Sequence, residues 1–598
     1  MSRGRASLVF LLCASCGHTP AAPTPDVPAH HDRASGAHSS ASCASANGPA
    51  PVASAAPASA PAPRHFAGGG AGSVSGRRGI VTSSEAQATR AGVAILAQGG
   101  NAVDAAVATA FALAVTHPSA GNLGGGGFLL LRPSGPDAVT TALDFRETAP
   151  AALTRQGFDR MQLGGAKGGA AAGVPGSVAG LLLAHEGFGK LPRASVLAPA
   201  VALAKSGFVL GRRQAELLAA SFNALKSDKT LAKRFGSDHG PKAQGARVVQ
   251  PELAAALVRI QDDGAAGFYR GPTADALTRA PGSLISHADL EGYRAVERTP
   301  LRSTYRGLVV ETMPPPSAGG VAVTEMLGLL EALGAHEAHG AAELHLFLEA
   351  SRRAQAERRF GVSDPDALDP SALSSQLERF LSPRALLARA PVELEHATPS
   401  ATLAPLYPGA SEESEQTTHL SVVDESGMVV SLTTTLSGSF GAKLTAPGTG
   451  IVLNNSVASF SRTGPNQPAP GRRTTSSMAP TLVLDGSRVV LVLGTPGGDT
   501  IPSTIVQVLR HVVDHGLSLE QAVAAPRIHQ GFLPDRSRFE SKRPLEPALI
   551  AALKALGHDI SGSHLAMGDS NDLLLDEQQA YGVADPRGGG LAEAVPSL

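Results

Sequence analysis

The sequence contains no tryptophan, five tyrosines and three cysteines among 598 residues. So few rings leave little with which to stack nucleobases. The 50 Lys and Arg against 51 Asp and Glu, a net charge of -1, leave no basic footprint for phosphates. Nucleic-acid binding is excluded on both counts. Cys13, Cys16 and Cys43 all lie in the first tenth of the chain, so the folded body holds neither a disulfide nor a thiolate metal site. Metal-ligand spacings are missing too. His185-Glu186 lacks the second histidine of a zincin, and His336-Glu337-Ala338-His339 has the wrong separation. There is no Gly-x-Ser-x-Gly elbow. The glycine run Gly121-Asn122-Leu123-Gly124-Gly125-Gly126-Gly127 follows a helical pattern and precedes an apolar strand, the reverse of a dinucleotide cradle, and reads as close backbone packing. Catalysis with neither metal nor cofactor is the expectation.

What is present permits a large core, with 43% hydrophobic and 17% charged residues. Arg3 and Arg5 precede the short apolar run Leu8-Val9-Phe10-Leu11-Leu12 and the small residues Ala14-Ser15 before Cys16. This is the layout of an export signal, too short to span a membrane. Its Ala-Ser-Cys ending resembles a bacterial lipoprotein signal with Cys16 as the lipidated residue, although Cys13 stands where that pattern usually has Leu. Export to the periplasm or the exterior, with or without a lipid anchor, is expected. Residues 17–72 are rich in Ala, Pro, Ser, Gly and His and read as a flexible tether.

The body opens near Gly79-Ile80-Val81-Thr82. Ser84-Glu85-Ala86-Gln87 predicts a capping box for a helix over 88–98, and Asn101 caps a second, Ala-rich helix that stops at His117-Pro118. Helical spacing recurs over 195–205, 251–262, 321–333 and 341–358. Met313-Pro314-Pro315-Pro316-Ser317 reads as a polyproline-like connector. From Thr417 the pattern changes to a hairpin, 420–423 and 428–436, then strands over 481–484 and 489–493 and a helix over 503–515.

Glu415-Gln416-Thr417-Thr418-His419-Leu420 places a threonine pair directly before an alternating strand. A threonine hydroxyl is a weak nucleophile without an adjacent base, and cleavage between Gln416 and Thr417 would create that base as the freed α-amine. Gly497-Gly498 sits between an apolar strand and a helix, where backbone N–H groups and the helix dipole suit an oxyanion. Arg146, in Asp144-Phe145-Arg146-Glu147, offers a planar fork for a carboxylate.

Together with Thr433-Thr434-Thr435, Thr474-Thr475-Ser476-Ser477-Met478, Gly494-Thr495-Pro496-Gly497-Gly498 and Asp585-Pro586-Arg587, these segments resemble the γ-glutamyltransferases, also called glutathione hydrolases. The resemblance runs from about Ile80 to Arg587. It implies the four-layer αββα sandwich of the N-terminal-nucleophile hydrolases, an α+β fold built jointly by a large subunit, 73–416, and a small subunit, 417–598. It implies further that Thr417 is the nucleophile, Thr435 its hydrogen-bond partner, and Gly497 and Gly498 the oxyanion donors. Arg146 would hold the substrate α-carboxylate with Ser476 and Ser477. The implied partners are a small γ-glutamyl substrate and an amino acid or peptide acceptor.

Three positions depart from the family's usual pattern: Ser437 stands for Asn, Ser456 for Gln or Glu, and Ser459 for Asp. The last two normally grip the substrate ammonium. Replacing a charge-assisted hydrogen bond by a hydroxyl forfeits about 1.5 to 3 kcal/mol, so weak amine recognition is expected, and a glutaryl-like acyl group or an internal γ-glutamyl unit becomes a credible substrate. The loop from Phe460 to Ser476 is shorter than the lid of many relatives, which leaves the pocket more open. A distant alternative is an uncleaved binding protein without turnover.

Overall fold

The computed structural model describes residues 66–596 apart from 78, 166, 404–415 and 565; the export segment, Cys16 and nearly all of the tether lie outside the described residues. Two antiparallel sheets of seven strands each form the centre. The first runs in the order Leu591–Ala594, Gly79–Ser83, Thr417–Asp424, Val429–Thr435, Gly126–Arg132, Thr141–Asp144 and Val296–Arg298. The second runs Val74–Gly76, Ala580–Ala584, Asn571–Leu575, Arg488–Leu493, Thr481–Asp485, Leu308–Thr312 and Leu301–Tyr305. Both sheets draw strands from either side of the Gln416–Thr417 bond, so neither side of that bond closes a core alone.

Side-chain alternation divides each strand between two cores. On Thr417–Asp424, Leu420 and Val422 join Val103, Val107 and Phe111 of the helix Ala102–Thr116 in the outer core of the first sheet. Val423 points the other way, to Leu482, Val492 and Leu573 between the sheets. A third core lies outside the second sheet, where Val483 and Leu491 meet the helices Ala318–Ala332, Gly340–Phe360 and Ile501–Val513. The order helix, sheet, sheet, helix is the expected four-layer αββα sandwich.

The helix Ala102–Thr116 begins with the Asn101–Asp104 capping box, and Asp104, fully buried, also accepts the Lys190 and Leu191 N–H groups. The preceding helix, Ala86–Ala97, is capped differently from expectation: the Glu85 carboxylate, not Ser84, accepts the N–H groups of Gln87 and Ala88. The proline segment also differs, since Ser317 N–H bonds to Pro314 C=O and residues 315 and 316 form a turn instead of an extended run. Ordered chain starts before residue 72: Phe66 packs on the outer core of the second sheet, and Gly69 C=O accepts the Glu520 N–H at 2.9 Å.

The glycine run is a close-approach device, as expected. A Cβ at Gly125 would lie 2.1 Å from Thr435 O, and one at Gly126 would lie 2.5 Å from Glu147 Oε2. Among the described residues no helix is long and apolar enough to cross a membrane.

Gly494 tests the inter-sheet spacing. A Cβ there would lie 2.1 Å from His419 Cε1, between sheets that have no slack. Gly494→Ala is expected to destabilise by about 1 to 3 kcal/mol. Gly187→Ala, on the helix Ser177–Phe188 with nothing within 4 Å of the new methyl, is expected to stabilise by up to about 1 kcal/mol. Urea midpoints of the two variants check the opposite signs.

Candidate active site

Pairing within the first sheet sets Thr417 opposite Thr435, and Thr435 opposite Gly126. The result is a short relay. Thr417 Oγ1 donates to Thr435 Oγ1 at 3.4 Å, Thr435 Oγ1 donates to the Gln416 carbonyl at 2.7 Å, and the Ser437 N–H donates to Thr435 Oγ1 at 2.9 Å. The Thr435 hydroxyl therefore touches both the side chain of Thr417 and the carbonyl of the peptide bond that precedes it. Gln416, Thr417 and Gly497 line one cavity of about 180 Å³.

Gly497 and Gly498 follow the strand Arg488–Leu493 and lead into the helix Ile501–Val513. Both have positive φ, 137° and 55°, a conformation that disfavours a side chain. Among the described residues neither N–H meets an acceptor. Two free donors at a helix start, beside a hydroxyl, suit a developing negative charge.

Of the remaining expected residues, Ser437, Ser459, Arg146 and Ser456 lie on one polar chain. Ser437 Oγ lies 3.4 Å from Ser459 Oγ; Asn466 donates to Ser459 C=O and to Thr475 Oγ1; and Thr475 C=O accepts from Arg146 Nη2 at 3.4 Å. Arg146 is 1% exposed and its fork is already engaged, with Nη1 at 2.7 Å from Glu147 Oε2. Glu147 in turn accepts from Ser456 Oγ at 2.5 Å. Ser476 Oγ accepts the Met478 N–H, and Ser477 Oγ accepts from Arg358, which also meets Asp499 at 2.5 Å. The structure thus brings all ten expected side chains and glycines to one end of the sandwich, but the Arg146 guanidinium is already engaged with Glu147, and the Ser476 and Ser477 hydroxyls already accept hydrogen bonds from the protein. Each already has a protein partner.

Sequence reasoning missed Glu147, Asn466, Arg358 and Asp499. Glu147 was legible, because it belongs to the quoted Asp-Phe-Arg-Glu segment. Arg358 carries no local signal: it sits on a helix remote in sequence and reaches Ser477 only through the fold.

His419, two residues after Thr417, is no base for it. Its ring bonds Thr433 and Ser421, and burial lowers it to about 3, so it stays neutral. The two histidine-glutamate segments set aside above are not brought together: His185 bonds Leu191 C=O and His336 lies 3.6 Å from Glu337. Among the described residues His345, Glu349 and His558 could crowd a cation. The two rings hydrogen-bond each other at 2.8 Å and Glu349 pairs with Arg352 and Arg353, while His558 Nδ1 meets no partner among the described residues.

Residues 88–595 match the family model described as gamma-glutamyltranspeptidase. A glutathione hydrolase proenzyme of Escherichia coli (strain K12) is 37% identical over 86% of this chain and 91% of its own. An acylase ACY 1 proenzyme of Pseudomonas sp. (strain SE83) is 34% identical over 84% of this chain and 90% of its own. Among solved structures, the cephalosporin acylase of Bacillus halodurans superposes with a TM-score of 0.76 at 26% identity, covering 91% of this chain and all of that one. With the sandwich, the paired threonines and these likenesses together, the chain belongs to the gamma-glutamyltranspeptidase family.

Proposed function

We propose that the chain is a self-processing γ-glutamyl hydrolase and transferase that uses Thr417 as its nucleophile. The observation that carries this reading is the Thr435 hydroxyl, hydrogen-bonded at once to Thr417 Oγ1 and to the Gln416 carbonyl. In the precursor, Thr417 Oγ1 attacks the Gln416 carbonyl carbon while Thr435 steadies the charge on its oxygen. The C–N bond breaks, the departing nitrogen takes the hydroxyl proton, and an ester links Gln416 to Thr417. Water hydrolyses the ester, leaving a large subunit ending at Gln416 and a small one beginning at Thr417.

The mature site repeats the chemistry on substrate. The Thr417 α-amine takes the hydroxyl proton, the hydroxyl attacks the γ-carbonyl of a γ-glutamyl amide such as that of glutathione, and the Gly497 and Gly498 N–H groups receive the oxyanion. The leaving amine departs with the proton. Water or an amino acid or peptide then takes the acyl group. Arg3, Arg5 and the apolar run after them support export, and Cys16 supports a lipid anchor to a bacterial membrane.

Two opposed effects set the choice of acyl group. Ser456 and Ser459 supply hydroxyls where an acid would hold an ammonium, which favours a glutaryl group, the second reading, and the acylase relatives agree with it. Charge balance pulls the other way. A substrate carboxylate on Arg146 competes with Glu147 for the same guanidinium, and an ammonium beside the pair would compensate the added negative charge; a buried uncompensated charge is costly.

Wild-type protein is expected to run on a denaturing gel as two pieces, the smaller being the 182 residues from Thr417 to Leu598. Thr417→Ala should remain one chain. Thr435→Val should process about a hundredfold more slowly, the usual loss for one oxyanion donor. Wild-type rates equal to those of Thr435→Val would remove the relay from the account.

γ-Glutamyl-anilide should be cleaved faster than glutaryl-anilide, but by no more than about a hundredfold, because the charge-assisted grip on the amine is lost. A preference above a thousandfold contradicts the reading of Ser456 and Ser459. A preference for glutaryl-anilide assigns the enzyme to the acylases.

A further inference from the structure

The place of Gly497 and Gly498 is fixed by a loop that is pinned from two directions. On its entry side the Gly494 N–H donates to Asp572 Oδ1 at 2.9 Å, and Thr495 Oγ1 accepts the Asp569 N–H at 2.9 Å. On its exit side Thr500 closes a turn onto the Gly497 carbonyl, with its N–H at 3.1 Å and its Oγ1 at 2.9 Å. Asp499 lies inside that turn, directly after Gly498. Both its carbonyl and its carboxylate are held by the helix Gly340–Phe360, which precedes the Gln416–Thr417 bond in the chain.

Gln355 and Arg358 stand three residues apart on that helix and share a face. Gln355 Nε2 donates to the Asp499 carbonyl at 2.9 Å, and Arg358 Nε donates to Gln355 Oε1 at 2.9 Å. The Arg358 fork then divides: Nη2 meets the Asp499 carboxylate and Nη1 donates to Ser477 Oγ. Gln355 is fully buried and Arg358 is 4% exposed, so water competes little for these bonds. One guanidinium thus bridges the turn that carries the two glycines to one of the serines expected at the substrate carboxylate. Arg358 lies outside the cavity lined by Gln416, Thr417 and Gly497. Its effect on chemistry passes through what it holds.

We propose that Arg358 is a positioning residue, which sets the Gly498 N–H through Asp499 and the Ser477 hydroxyl directly, so that oxyanion donors and carboxylate grip keep a fixed separation. The proposal rests on Gly497 and Gly498 receiving the oxyanion. It explains why the fork, and not charge alone, is needed: a lysine ammonium in the same place is a compact point charge without the planar fork. A donor misplaced by about 1 Å costs on the order of a hundredfold in rate.

The test follows the first turnover, in which release of aniline reports acylation. It compares the anilide that the processed enzyme cleaves with the thioanilide, in which sulfur replaces the oxygen of the attacked carbonyl. Sulfur stands farther from carbon and accepts hydrogen bonds poorly, so donors placed for oxygen discriminate against it. Wild-type enzyme should acylate from the anilide about a hundredfold faster than from the thioanilide. Asp499→Asn keeps the shape of the side chain and weakens the tie. It should lose about thirtyfold on the anilide, with half-saturation within about threefold of wild type, and its anilide-to-thioanilide ratio should fall to about ten. Arg358→Lys should cost as much, and the Arg358→Lys/Asp499→Asn double variant no more than the worse single one. All three should still process to two pieces, because the relay of Thr417, Thr435 and the Gln416 carbonyl contains neither residue.

Four results would each overturn the proposal: an Asp499→Asn rate within about threefold of wild type, a loss that leaves the ratio unchanged, additive losses in the double variant, or failure of Asp499→Asn to process. A wild-type ratio near one would instead remove Gly497 and Gly498 as oxyanion donors, so the two failures are distinguishable.

Discussion

The antiparallel register of two neighbouring strands governs the rest of this molecule. Setting Thr417 opposite Thr435 in the first sheet places two hydroxyls and the Gln416 carbonyl within hydrogen-bond reach of one another. A slip of one residue would turn Thr417 from the space between the sheets to the helical layer. Burial holds the register, because Leu420 and Val422 on one face and Val423 on the other are committed to separate cores. The same strands are contributed from both sides of the Gln416–Thr417 bond, so cutting that bond leaves the sandwich intact. Strain relief is not needed to explain a break at this point. The proposed chemistry follows from which oxygen faces which carbonyl.

The site is also a place of matched buried charge. Arg146 with Glu147, and Arg358 with Asp499, each pair a guanidinium with a carboxylate where water is largely excluded. Leaving either partner alone would be expensive, which explains why the Arg146 guanidinium is held on Glu147. Under the proposed function, a ligand that balances both charges is favoured over one that balances only the guanidinium. Ser456, by donating to Glu147, holds that carboxylate in place without adding charge of its own.

Much of this was legible in the amino-acid sequence where the signal is local. Asn101 and Asp104 announce a helix start that the structure realises, and the glycines from 124 to 127 announce close backbone contact because nothing larger fits. The hairpin Thr417–Asp424 and Val429–Thr435 was visible in its alternation, and the fold and the family came from motif resemblance. What was not legible is set by distance along the chain. The partnership of Ser477 with Arg358, the joining of Ser459 to Arg146 through Asn466, and the shared cavity of Thr417 and Asp569 arise only when strands from both halves interleave. The tether boundary was misplaced for a different reason: Phe66 is one large apolar side chain among small ones, too little for a compositional reading to register, yet enough to dock that segment.

The central claim is that one residue supplies both the hydroxyl that attacks and the amine that assists it. Mass spectrometry of enzyme quenched during turnover of a γ-glutamyl amide examines this most directly. The account predicts a small fragment whose first residue is Thr417 and which carries the acyl group on that residue. A fragment beginning elsewhere, or an acyl group on any other side chain, would contradict it.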